Sequence, residues 1–128
     1  MRNNGLLELR KRIKSFRFAF EGCWYVLRTQ KNAWIHAPIT IAVVIAGIWS
    51  GLSRVDWALL IIAIAIVWIA EFFNTAIEAI IDMTMPDPHP LAKVAKDVGA
   101  GAVLLGACAA VLIGVLVLGP PLWESVSS

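Results

Sequence analysis

Cysteine, histidine and charge are all scarce in this chain. Two cysteines and two histidines among 128 residues exclude a disulfide framework and leave no His/Cys cluster with the spacing of a zinc site. Cys23 falls in a basic N-terminal stretch and Cys108 in the middle of an apolar run, so no disulfide is expected between them and both read as packing residues. No glycine-rich turn leads into a lysine as in a P-loop, and the glycine loop and catalytic loop of protein kinases are absent, which excludes the common phosphate-binding scaffolds. No low-complexity tract or long-period repeat divides the chain, so residues 1–128 read as a single domain. Only 16% of the residues are charged.

What fills the chain instead is hydrocarbon. Hydrophobic residues make up 59% of it and the mean hydropathy is +0.77, more apolar surface than one small soluble core can bury. Apolar runs cover residues 37–52, 55–76 and 98–118, each near the roughly 20 residues that cross a bilayer. With their flanks they predict three transmembrane helices over residues 33–52, 55–83 and 91–118, the first the least defined because Pro38 lies in it. The first 31 residues are basic and amphipathic rather than an apolar stretch ending in a cleavage site, so no signal peptide is expected.

Charge placement orients the spans. Eight of the eleven Lys and Arg residues (Arg2, Arg10, Lys11, Arg12, Lys14, Arg17, Arg28, Lys31) precede the first span, Lys93 and Lys96 lie between the second and third, and only Arg54 falls in the other loop. The positive-inside rule then predicts a cytoplasmic N-terminus, an outer hairpin near Gly51, a cytoplasmic loop over residues 83–91 and an outer C-terminus. Trp34 belongs to the inner interface on this reading, and Trp49, Trp57 and Trp123 to the outer one. Before the spans, Leu6, Leu9, Ile13, Phe16, Phe20 and Trp24 recur at helical spacing among basic residues, predicting an interfacial amphipathic helix over about residues 6–30. That helix is either a surface anchor alone or a source of basic side chains for a polyphosphate.

Ionisable groups beside a bilayer core cost several kcal/mol each unless they face a bundle interior or serve a site. At about 100° per residue, Glu71, Asn74, Glu78 and Asp82 share one stripe about 80° wide on the second span. The stripe offers carboxylates for Mg²⁺ and for proton abstraction with an amide to fix geometry, or it is an ion-pair seam within the bundle. Pro86, Pro88 and Pro90 impose a reversal, after which Lys93, Lys96 and Asp97 open the third span. His89 reads as a residue that caps or lines this turn, and Ala102, Gly106, Ala110 and Gly114 form a small-residue stripe for close helix packing. A channel or transport subunit would carry its polar residues through the whole span. Here they stop at one interface, which favours an enzyme.

Together Ser15 to Gly22, Asn32 with Ile35-His36, Glu71-Phe-Phe-Asn74-Thr75-Ala76-Ile77-Glu78 with Asp82, His89-Pro90-Leu91-Ala92-Lys93, Ala95-Lys96-Asp97 and Ala100 to Leu105 resemble the small bacterial membrane diacylglycerol kinase family, and within it the undecaprenol kinase branch. The resemblance runs from Ser15 to Gly119. It implies an all-α integral inner-membrane protein, a homotrimer of three-span subunits each with an interfacial N-terminal helix, and sites shared between subunits at the cytoplasmic surface. It also implies ATP-dependent phosphorylation of a lipid alcohol, undecaprenol or else diacylglycerol, with Mg²⁺ and without a nucleic-acid partner. By matching position, Glu71 is the general base, Asn74 positions the reacting groups and Glu78 ligates Mg²⁺, while Lys11, Asp82, Asp87, His89, Lys96 and Asp97 line the nucleotide site. The sequence departs from the family at Gln30, where a metal-binding glutamate is common. An amide oxygen brings no charge, so either metal affinity falls or another carboxylate such as Glu21 compensates.

Overall fold

A computed structural model describes residues 3–127, so Arg2 of the basic cluster lies outside the described residues. Four helices follow one another: α1 (Asn3–Thr29), α2 (Lys31–Trp49), α3 (Arg54–Thr84) and α4 (Pro90–Ser127). The chain divides at Gln30 into two units, α1 and the three-helix unit that starts at Lys31.

Within α1, Lys11 pairs with Glu8 and Arg17 with Glu21, both at 2.8 Å, three and four residues apart where helix geometry brings side chains together. All four groups are exposed, so each pair contributes only a few tenths of a kcal/mol. Leu6, Leu9, Ile13, Phe16, Phe20 and Trp24 are exposed as well, an apolar stripe of the kind that lies on a membrane surface.

α2, α3 and α4 are all long and apolar enough to cross a bilayer. α2 continues through Pro38, which removes one backbone hydrogen bond without ending the helix. Gly51, at φ +60°, makes the turn into α3, a conformation that glycine adopts without strain. Ser53 then caps α3: its Oγ accepts from the Asp56 N–H at 3.2 Å while the Asp56 carboxylate accepts from the Ser53 N–H at 3.3 Å. With its 31 residues α3 is roughly 46 Å long, about 15 Å more than the hydrocarbon layer requires. α4 runs on past the expected end at residue 118, through Pro120 and Pro121, to Ser127.

α3 packs chiefly on α4 and less on α2. Near the Gly51 turn the contact is apolar, with Leu60, Val117 and Leu118 buried among Val43, Ala46, Leu52, Ile113 and Leu122. In lipid such contacts hold by close packing rather than by escape from water. Trp57 lies over Gly47, where a Cβ would be 2.9 Å from its indole, while Trp49 and Trp123 are exposed. Two expectations are corrected here. The small-residue stripe is used in part: Gly106 faces Ile66 and Ala70, Ala102 is exposed, and Gly114 meets nothing within 4 Å. Cys23 and Cys108 are free, as expected, but both are exposed rather than packed.

Candidate active site

At the end of α3 away from Gly51, burial falls stepwise along the polar stripe. Glu71 is 0% exposed and Asn74 3%, Glu78 is half-buried and Asp82 exposed. Four-residue spacing lets the Asn74 Nδ2 donate to Glu78 Oε1 at 3.0 Å, and it lets the Thr75 hydroxyl donate to the Glu71 carbonyl at 2.8 Å. The Glu71 carboxylate is served poorly by comparison. Its Oε2 accepts from the Asn32 Nδ2 at 3.4 Å, a long bond, and its Oε1 is buried with no partner among the described residues. A carboxylate so placed costs several kcal/mol unless a cation or an O–H donor completes it.

The stripe meets the first turns of α4. Gly99 is buried against Asn74, and a Cβ there would overlap the Asn74 Oδ1. Farther out, Lys96 Nζ reaches across to Asp82 Oδ1, and Lys93 pairs with Asp97 along α4. His89 does cap the helix: its Nδ1 accepts from the Leu91 N–H at 3.2 Å and its carbonyl accepts from the Lys93 N–H at 3.1 Å. Asp87 is exposed in the proline turn. Glu71, Asn74, Glu78, Asp82, Lys96 and Asp97 thus follow one another from the buried depth of the bundle to its exposed end, acid in the interior and paired charges outside.

A third wall comes from α2, whose Asn32, His36 and Thr40 recur every four residues. Asn32 holds Glu71, Thr40 accepts from the Trp68 indole N–H at 3.1 Å, and His36 lies edge-on to Trp68 with ring centroids 6.4 Å apart. Sequence reasoning gave α2 no functional side chain, although a polar residue at every fourth position of an apolar helix is a legible stripe.

A family model described as prokaryotic diacylglycerol kinase matches residues 17–118. The chain belongs to that family. A diacylglycerol kinase of Synechocystis is 44% identical over 109 residues, covering 84% of this chain but only 62% of that longer protein. An undecaprenol kinase of Bacillus subtilis is 40% identical over 115 residues, 90% of this chain and 94% of its own length. A diacylglycerol kinase of Escherichia coli is 35% identical over 102 residues, 73% of this chain and 83% of its own. Diacylglycerol kinases and undecaprenol kinases are phosphotransferases with an alcohol acceptor, and this family member is accordingly a membrane lipid kinase.

A hard cation that accompanied ATP would need oxygen ligands, not all of them from protein side chains, because substrate phosphates can complete the shell. Among the described residues no three His, Cys, Asp or Glu side chains converge to hold a metal unaided. The half-buried Glu78 carboxylate and the partnerless Glu71 Oε1, about two helical turns apart on α3, are oxygen donors of the required type. The remaining expected site residues belong to the α1 unit. Lys11 is exposed and paired with Glu8, and Gln30 ends the helix with its N–H donating to the Val26 carbonyl at 2.9 Å.

Proposed function

We propose that this kinase transfers the γ-phosphate of ATP to the hydroxyl of undecaprenol, giving undecaprenyl phosphate and ADP. The observation that carries the reading is Glu71: a wholly buried carboxylate, at the edge of apolar spans, with one oxygen free to accept a proton. Its Oε1 takes the proton of the lipid hydroxyl as the new O–P bond forms and the bond from the γ-phosphorus to the bridging oxygen breaks. Asn74, held between Gly99 and Glu78, keeps these groups in register. Glu78 would hold Mg²⁺, which when bound would neutralise phosphate charge. Lys96 and Asp97, with Asp82, Asp87 and His89, line the nucleotide. Phosphoryl transfer asks mainly for positioning and charge neutralisation, and this set supplies both.

The same reading places α1 on the inner leaflet of a bacterial inner membrane, the active site in the cytoplasm and the C-terminus outside, with three subunits assembled so that neighbours share sites. The acid-to-basic gradient ending at Lys93 and Lys96 agrees with that orientation. The match along nearly the full length of the Bacillus undecaprenol kinase supports a polyprenol acceptor. Diacylglycerol is the second reading, supported by the relatives of that name. Purified protein in mixed micelles, given labelled ATP, Mg²⁺ and both lipids in competition, is expected to phosphorylate the polyprenol with the higher kcat/KM. A preference for diacylglycerol overturns the acceptor, and no label in any lipid overturns the reaction.

A further inference from the structure

An apolar groove of about 580 Å³ runs along α2, α3 and α4, walled by residues such as Ile39, Val43, Leu60, Val67, Val111 and Val115. All three helices are candidate spans, so the groove opens toward hydrocarbon rather than water. Only two residues with polar side chains border it, His36 and Thr40. Thr40 is engaged by the Trp68 indole. The His36 Nε2, in contrast, is buried and has no hydrogen-bond partner among the described residues, and the edge-on contact with Trp68 fixes its ring. A buried polar atom with nothing to bind, on an otherwise apolar wall, is a vacancy for a ligand atom.

Its depth indicates which atom. His36 follows Asn32 by one helical turn on α2, as Trp68 precedes Glu71 by nearly one on α3, so His36 lies about 5 Å below the level where Asn32 holds Glu71. A lipid whose hydroxyl meets Glu71 and whose chains enter the groove brings its next few atoms to His36. In a diacylglycerol those atoms include ester carbonyls. In a polyprenol they are hydrocarbon only.

We infer that His36 is a specificity-determining residue for the acceptor, its Nε2–H donating to an ester carbonyl of a glycerolipid seated in this groove. The inference rests on the lipid-kinase reading above and concerns diacylglycerol, the second alcohol that a site with one general base admits. His36 selects the ester lipid over glycerolipids without carbonyls, while the preferred polyprenol is bound by its chain alone and makes no use of the imidazole.

The test compares a diacylglycerol with its dialkyl ether analogue, which keeps the hydroxyl and the chains but lacks the carbonyls. The ratio of their kcat/KM values is measured within each variant, so misfolded protein cancels. In His36→Leu the ester-to-ether ratio is expected to fall about tenfold, the size of one hydrogen bond to a buried group, and in His36→Gln, which keeps an N–H at similar reach, to hold within about threefold of wild type. A ratio unchanged in His36→Leu overturns the inference, as it would if a second copy of the chain filled the groove. Equal loss in the Leu and Gln variants assigns His36 a packing role and overturns it too. Failure of the wild type to label either lipid refutes the kinase reading instead, a distinct outcome.

Discussion

Gly99→Ala is the change that most sharply separates packing from catalysis. The added methyl overlaps the Asn74 Oδ1, and because the Asn74 Cα is itself within 3.8 Å, the asparagine has little room to slide. It must rotate, and rotation breaks its 3.0 Å bond to the Glu78 carboxylate. Overpacking of this kind costs about 1 to 3 kcal/mol and the charge-assisted bond about 1.5 to 3, while replacing a helical glycine by alanine returns about 1. Stability should therefore drop by about 1.5 to 5 kcal/mol. Turnover should drop further, on the order of 10²-fold, because an ångström of displacement in a positioning residue is enough for that. Gly101→Ala is the internal comparison: nothing lies within 4 Å of its Cβ, so it keeps its rate and gains helix propensity. The assay is label transfer from ATP to lipid in mixed micelles, with thermal unfolding in the same detergent. In an Asn74→Ala background the clash partner is gone, and Gly99→Ala should cost almost nothing more in rate. A Gly99→Ala variant at wild-type rate, or a loss that persists undiminished beside Asn74→Ala, refutes the reasoning.

Glu71→Gln should fold and assemble normally yet lose at least about 10²-fold in turnover, the scale for removal of a general base; lipid labelling at near wild-type rate contradicts that role. Glu78→Ala should abolish Mg²⁺-dependent transfer, whereas Gln30→Glu should lower the Mg²⁺ concentration for half-maximal rate, since it adds a charged ligand; an unmoved Mg²⁺ titration excludes position 30 from the metal. Ser53→Ala removes the α3 cap at the far end of the bundle and should cost about 1 kcal/mol in thermal unfolding with the lipid-transfer rate unaltered, so a matching loss of rate contradicts the separation of core and site.

The spans were legible because hydrocarbon-length runs have few alternatives, and the inward stripe of Glu71, Asn74 and Glu78 because helical periodicity needs no tertiary information. For His89 its place in the proline turn left capping and lining both open, and the structure selects the cap. What could not be read were features created by two helices meeting. Gly99 looks like any other glycine of α4 until α3 places Asn74 against it, and Gly114, at good small-residue spacing, meets nothing. Lys96 finds Asp82 fourteen residues away only through the angle of the proline turn. That the Trp57 indole lies over Gly47 depends likewise on α2 meeting α3. On α2 the Asn32, His36, Thr40 spacing was visible, but no local rule says that this face turns to α3.

The graded burial of α3 separates the two substrates by direction. On the proposed assignment of the site, the acceptor would approach Glu71 laterally, diffusing in two dimensions, and its phosphorylated form would depart the same way with its tail in the bilayer. Nucleotide would come and go along the helix axis, past Asp82 and Lys96, in three dimensions. Neither traffic would then obstruct the other. Velocity should then scale with the mole fraction of lipid in the surface and with the bulk concentration of ATP, and diluting the micelles with inert detergent should slow the reaction at constant total lipid.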